Sequence, residues 1–232
     1  MAKKEMAAVL ILTFLSIAVT GGILYLVFSL LSGHNPGKRK VQDDLDRMKK
    51  ELDPYVKDLV PIHKEELELF SLSQIHQLSR RKTRTARGVY TTIFHEPILA
   101  YSYKRYLSKK LNAVMYARTS HHEFAFRIKD GEVRVVIDNQ LVGVIKNNEA
   151  LYSAKDNRMI ARIGRDQEAY LPVFVHNREV AQVARAPKVA AEKLLSTRAF
   201  SLVKGDLNKE EEQLLLSLSI LELVNREVVP RQ

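Results

Sequence analysis

The pattern of apolar and polar positions divides the chain into stretches of different period. Residues 7–31, AAVLILTFLSIAVTGGILYLVFSLL, pass without a single charge. At about 1.5 Å rise per residue the run covers roughly 37 Å, more than the roughly 30 Å hydrocarbon core of a bilayer, so it predicts a transmembrane helix. Gly21 and Gly22 are tolerated there because lipid offers the backbone no water to bond instead. The run is longer than the apolar region of a cleaved signal, and Tyr25-Leu26-Val27-Phe28 stands where a small-residue cleavage site would be needed. Past the break at Ser32–Gly37, Val41, Leu45, Met48, Leu52, Tyr55, Leu59 and Ile62 recur at alternating spacings of four and three, an amphipathic seam. Pro54 and Pro61 interrupt it, which predicts a helix near 39–53, a broken turn and a second helix near 62–79. A seam this short favours a helix packed on its own domain over a dimerising stalk.

From Val89 the period changes to two. VYTTIF (89–94), ILAYSY (98–103), LNAVMYA (111–117), EFAFRI (123–128) and EVRVVI (132–137) read as strands, and Lys129-Asp130-Gly131 between the last two is a short-hairpin signal. A threefold internal similarity follows. VVIDNQLVGVIK (135–146), SAKDNRMIARIG (153–164) and VFVHNREVAQVA (173–184) align without gaps. Each has an apolar approach, a turn pair (Asp138-Asn139, Asp156-Asn157, His176-Asn177), and a returning strand with Gly143, Ala161 or Ala181 fourth after the Asn. Asn tolerates left-handed backbone and Asp bonds its local backbone, so these pairs belong at tight turns. The small residues leave room for something bulky inside, and successive hairpins predict an antiparallel meander that closes into a barrel or stacks as a sandwich. The occupant is supplied by the last segment. Asn208 and Glu211 form a capping box, and Leu214, Leu215, Leu216, Leu218, Ile220, Leu221, Leu223 and Val224 cover nearly the whole circumference of a helix, which predicts burial. Glu222 interrupts that run too early for a membrane span.

The expected organisation is therefore a mainly β (α+β) chain: a transmembrane anchor over 1–37, a helical stalk over 38–79, a basic linker over 80–88, and a β domain over 89–232 with a central helix over 208–229. Repeated hairpins with Asp/His-Asn turns, a small residue on each returning strand and one wholly apolar C-terminal helix resemble the tubby C-terminal-like superfamily, which includes phospholipid scramblases and LURP-one-related proteins. The resemblance covers about residues 89–229. It implies a closed antiparallel barrel of about twelve strands threaded by the helix. Scramblase activity is not carried over, because the predicted anchor is N-terminal and no cysteine-rich tract exists.

Charge adds a preference for partners. Of the net charge of +10, the stretch from Arg80 to Lys188 carries more than the whole, with 21 Lys plus Arg against 10 Asp plus Glu. Arg80, Arg81, Lys82, Arg84 and Arg87 place five cations in eight residues, suited to anionic phospholipid headgroups or an acidic protein. Nucleic acid is the less favoured partner, since no base-stacking aromatic motif accompanies the tract. Lys3 and Lys4 precede the apolar run, whereas six basic residues between Lys38 and Lys50 follow it, which predicts a cytoplasmic C-terminal domain.

Catalytic chemistry finds little footing. The chain has no Cys, which removes thiolate metal sites and cysteine nucleophiles, and it contains no GxSxG elbow, phosphate-binding loop or GxGxxG. His121 and His122, read as neighbours in a strand, would point to opposite faces and could not share a metal ion. No metal and no cofactor is expected. The sequence points to a single-pass, non-enzymatic binding or scaffolding protein, with an accessory subunit docking through 39–79 as the alternative.

Overall fold

The computed structural model describes residues 36–80, 84–166, 169–185 and 198–228, so the predicted anchor at 7–31 lies outside the described residues. Among those described, no helix is long and apolar enough to cross a membrane. Twelve strands follow one another in a single antiparallel sheet whose spatial order is the chain order: β1 (Phe70–Arg80), β2 (Thr85–Thr92), β3 (Pro97–Arg105), β4 (Asn112–Arg118), β5 (Glu123–Lys129), β6 (Glu132–Ile137), β7 (Gln140–Lys146), β8 (Ala150–Ser153), β9 (Met159–Ile163), β10 (Tyr170–Val175), β11 (Arg178–Ala184) and β12 (Phe200–Val203). The seam is drawn together where Ser71 bridges Arg198 and the Ala199 N–H donates to the Phe70 carbonyl at 2.7 Å. The result is a nearly closed barrel, which leaves few sheet-edge groups unpaired.

Helix α1 (Lys38–Val56) lies against the outside of β3 and β4, and helix α2 (Lys209–Val228) fills the inside. All eight large apolar side chains of α2 from Leu214 to Val224 are buried. Each contributes on the order of 1.5–3 kcal/mol on burial, so α2 is a principal part of the core. Its entry is fixed by the capping box: Asn208 Oδ1 accepts the Glu211 N–H and Glu211 Oε2 accepts the Asn208 N–H, both at 2.9 Å. Glu222 is buried among these residues and is paired with Arg165 at 2.9 Å, which accounts for a charge inside an apolar run.

Two covering layers explain the burial pattern of the strands. β5 and β6 alternate, interior against solvent, whereas β3 and β4 are buried on both faces because α1 covers their outer side. Met48, Leu52 and Leu59 of the amphipathic seam pack there on Val89, Ala100, Val114 and Tyr116, with Val41, Leu45 and Tyr55 at the margin. The seam is thus spent on the chain's own barrel.

The helix expected over 62–79 does not form. A short 3-10 turn at Lys64–Leu69 is followed by β1, which pairs with β2 from Phe70–Thr92 through Arg80–Thr85. Apolar Phe70 and Leu72 alternate with Ser71 and Ser73, and the cross-strand bonds to β2 decide between two readings that local propensity leaves nearly balanced. The barrel accordingly begins near residue 70 rather than 89. Of the basic tract at 80–88, Arg80 ends β1 and residues 85–88 begin β2, so the described part of the tract belongs to paired strands rather than to a linker.

The threefold similarity carries more than turns. Register shifts fall between Val136 and Val135 on β6 against β7, between Leu151 and Tyr152 on β8 against β9, and between Val173 and Phe174 on β10 against β11. In each case the unpaired residue of the returning strand is the one before the small residue: Val142 before Gly143, Ile160 before Ala161, Val180 before Ala181. A bulge increases local twist and bends the strand, which helps a sheet close. Gly143 is small for its own neighbour rather than for α2, since a Cβ built on it would lie 2.0 Å from the Tyr152 carbonyl oxygen.

Candidate anion-binding groove

Because sequential strands alternate in direction, the β1–β2 hairpin, the β3–β4 loop and the β5–β6 turn share one end of the barrel. The β2–β3, β4–β5, β6–β7 and β10–β11 turns share the other. At the first end a groove of about 550 Å³ opens between α1 and strands β2 and β3. Among the described residues, its lining includes six cations, Lys40 and Arg47 from α1, Arg84 and Arg87 from the hairpin, and Lys104 and Arg105 from the end of β3. Two carboxylates oppose them: Glu51 in the lining and Asp44 behind it, leaving an excess of four positive charges.

Strand pairing creates this juxtaposition. Thr85 lies opposite Lys104 and Arg87 opposite Ser102, and the Arg105 N–H donates to the Arg84 carbonyl at 2.9 Å. Arg84 sits in the hairpin turn with φ of 51°. The helix side is held by Asp44, which is 3% exposed. Its carboxylate accepts from Lys104 Nζ at 2.8 and 2.9 Å, from Arg47 at 2.6 Å and from the Tyr106 hydroxyl at 2.9 Å. A buried carboxylate is stable only when its charge and lone pairs are met in this way. A second tie, Lys49 to Glu123 at 2.9 Å, fastens the middle of α1 to β5.

The groove is less well satisfied than the clasp beside it. Arg87 Nε and Arg105 Nε are buried with no hydrogen-bond partner among the described residues. A buried donor without an acceptor carries its desolvation cost uncompensated, on the order of 1–3 kcal/mol and more for a charged group. The guanidinium groups among the groove's lining residues suit phosphate and carboxylate oxygens. The two tyrosines nearby are held as neutral phenols. Burial pushes the Tyr103 phenol up to about 12, partly offset by Arg105, and burial together with the Asp44 carboxylate raises Tyr106 further.

Of the basic residues singled out in the sequence, Arg84 and Arg87 line the groove and Arg80 ends β1; Arg81 and Lys82 lie outside the described residues. Lys40, Arg47, Lys104 and Arg105 were missed. The available signal was the Lys-Arg pair closing the strand ILAYSY, directly after the strand that follows the basic tract.

The turn residues sit at the opposite end or along the later hairpins. Asp138 and Asn139 have φ of 50° and 63°, His176 and Asn177 47° and 65°, and Asn157 54°. Asp138 also ties two turns together: its carboxylate accepts the Glu123 N–H at 2.9 Å and lies 2.7 Å from His122 Nδ1. Asp156 accepts the Arg158 N–H at 3.3 Å, and this bond, with the Ser153 hydroxyl, holds its carboxyl below the usual range. His176 lies 3.6 Å from Glu210 in the first turn of α2, and Arg178 forks onto Asp206 with both contacts at 2.9 Å. His121 and His122 lie in the β4–β5 turn rather than in a strand, and both border a cleft with His63 and Gln213. Among the described residues no three His, Cys, Asp or Glu side chains are grouped to hold a metal ion.

Compared with family models, curated proteins and solved structures, the chain matches none of them.

Proposed function

We propose that this chain is a membrane-tethered, non-enzymatic binding module whose tubby-like barrel receives anionic phospholipid headgroups in the groove between α1 and β2–β3. The observation that carries the reading is the lining of six cations from α1, the hairpin and the end of β3, opposed by two carboxylates. Tethering makes a weak electrostatic surface effective. The apolar run ends at Leu31, and the six residues before α1 span at most about 20 Å, so Lys40 and Arg47 stay close to whatever the run inserts into. An anionic leaflet attracts basic segments by about 1 kcal/mol per cation near its surface, falling off within a Debye length. The excess of basic residues after the run places the barrel on the cytoplasmic side in this reading. The alternative of an accessory subunit docking through 39–79 has less to recommend it, since the apolar seam of α1 already packs on the barrel.

The test uses the full chain in zwitterionic nanodiscs titrated with short-chain phosphatidylserine, following the arginine Nε–H resonances by NMR. Shifts at Arg87 and Arg105 that weaken with added salt, and loss of binding in Arg87→Gln/Arg105→Gln, are expected. Salt-independent binding, or equal binding by the double variant, refutes the reading.

A further inference from the structure

The β3–β4 loop rises beside the groove and differs in character from the rest of that end. It spans residues 106–111, Tyr-Leu-Ser-Lys-Lys-Leu, and is closed at its base by the Tyr106 N–H donating to the Asn112 carbonyl at 2.7 Å. Tyr106 is buried and its hydroxyl is bonded to Asp44, so the root of the loop is fixed to the clasp that holds α1. At the tip the order reverses. Leu107 is 43% exposed and Leu111 37%, and the exposed Lys109 and Lys110 stand between them. Leu107 is also part of the groove lining.

Two large apolar side chains held out in water on a short, anchored loop, with two lysines between them and continuous with a cationic groove, have the composition of an interfacial membrane contact. Apolar tips gain by entering the acyl boundary, and lysine stems reach the headgroup layer above it. We propose that the β3–β4 loop is a bilayer-insertion loop that seats Leu107 and Leu111 at the acyl boundary while Lys109 and Lys110 remain among anionic headgroups. This deepens the lipid reading of the groove and rests on it for the identity of the partner. It also sets the domain's orientation: the end bearing the β1–β2 hairpin and the β3–β4 loop faces the membrane, and the β2–β3 turn faces away. Phe94, 66% exposed in the β2–β3 turn, marks that far end. The nine residues of β3 separate the two by about 30 Å at 3.3 Å each.

The chain has no Trp, so a single introduced indole reports its own site without background. Leu107→Trp, Leu111→Trp and Phe94→Trp are made in the full chain and reconstituted into phosphatidylserine-containing bilayers carrying phosphatidylcholine brominated on its acyl chains, with folding checked by circular dichroism. Quenching of roughly twofold and a blue-shifted emission at 107 and 111, with neither at 94, are expected. A loop held near the surface by the tether alone would reach headgroups and not the brominated carbons, so unquenched emission at 107 and 111 in folded protein overturns the proposal, as does equal quenching at 94. The groove is scored separately. Loss of short-chain phosphatidylserine binding in Arg87→Gln/Arg105→Gln, together with unquenched 107 and 111, sinks insertion and leaves the groove reading standing. Quenching at 107 and 111 with phosphatidylserine binding unchanged in that double variant supports insertion and sinks the groove.

Discussion

Asp44→Asn separates the clasp from the groove, because the two properties it changes move in opposite directions. The carboxylate accepts from Lys104, Arg47 and the Tyr106 hydroxyl. Asparagine keeps one carbonyl acceptor and loses the charge, and hydrogen bonds to charged groups contribute about 1.5–3 kcal/mol each. The full 3–5 kcal/mol of a broken buried ion pair is not expected, since the Arg47 side chain is 55% exposed and can return to water. Lys104, with a side chain 19% exposed, bears most of the loss, so a destabilisation of about 2–3 kcal/mol is expected. The same change removes one of two negative charges beside the groove. At ~8 Å and an effective dielectric between about 20 and 80, a unit charge is worth ~0.5–2 kcal/mol, so affinity for an anionic headgroup should rise between about twofold and thirtyfold. The assay is urea unfolding of the full chain in mild detergent, read by tyrosine circular dichroism, beside headgroup titration in nanodiscs. A double-mutant cycle with Lys104→Met isolates the pair. Stability within about 0.5 kcal/mol of wild type, or additive effects of the two changes, would refute the clasp; unchanged or weaker headgroup affinity would refute the coupling to the groove.

Three further outcomes follow from other parts of the fold. Gly143→Ala should cost more than about 3 kcal/mol, because its Cβ would lie 2.0 Å from a backbone oxygen that cannot yield without breaking the β7–β8 pairing; a thermal melt close to wild type would show that the strands separate easily. Asn177→Val should destabilise by about 1–2 kcal/mol and Asn177→Gly by much less, since the position has φ of 65°, and equal losses would point to a side-chain role instead. Tyr103 ionises at about 12 in the folded protein against 10.0 normally, so its stabilising contribution, on the order of 2 kcal/mol, is complete below pH 10 and is lost as pH rises toward 12. Tyrosinate absorbance should therefore include a cooperative phase that coincides with unfolding and shrinks in Tyr103→Phe; simple titration of every tyrosine near 10 would contradict the burial.

Features governed by a few neighbouring residues were legible in the sequence. The left-handed backbone at Asp138-Asn139 and His176-Asn177 follows from the sterics of those residues, and the capping box of Asn208 and Glu211 is written within four positions. A helix apolar on every side has no face to offer water, so the burial of α2 and the barrel around it could be argued before any coordinates. Tertiary structure decided the rest, because the energies involved are non-local. Residues 70–80 are a strand since β2 offers them a ladder, although their composition permits a helix. Gly143 answers to the Tyr152 carbonyl across the sheet, and the bulges at Val142, Ile160 and Val180 are needed by closure rather than by their own dihedral preferences. The groove is the clearest case. The sequence shows a run of five cations at residues 80–87, but the groove combines Arg84 and Arg87 with Lys40, Arg47, Lys104 and Arg105. Those four come from a helix and a strand that meet the hairpin only after folding. Coulomb forces depend on distance through space, and the chain's order does not contain that distance.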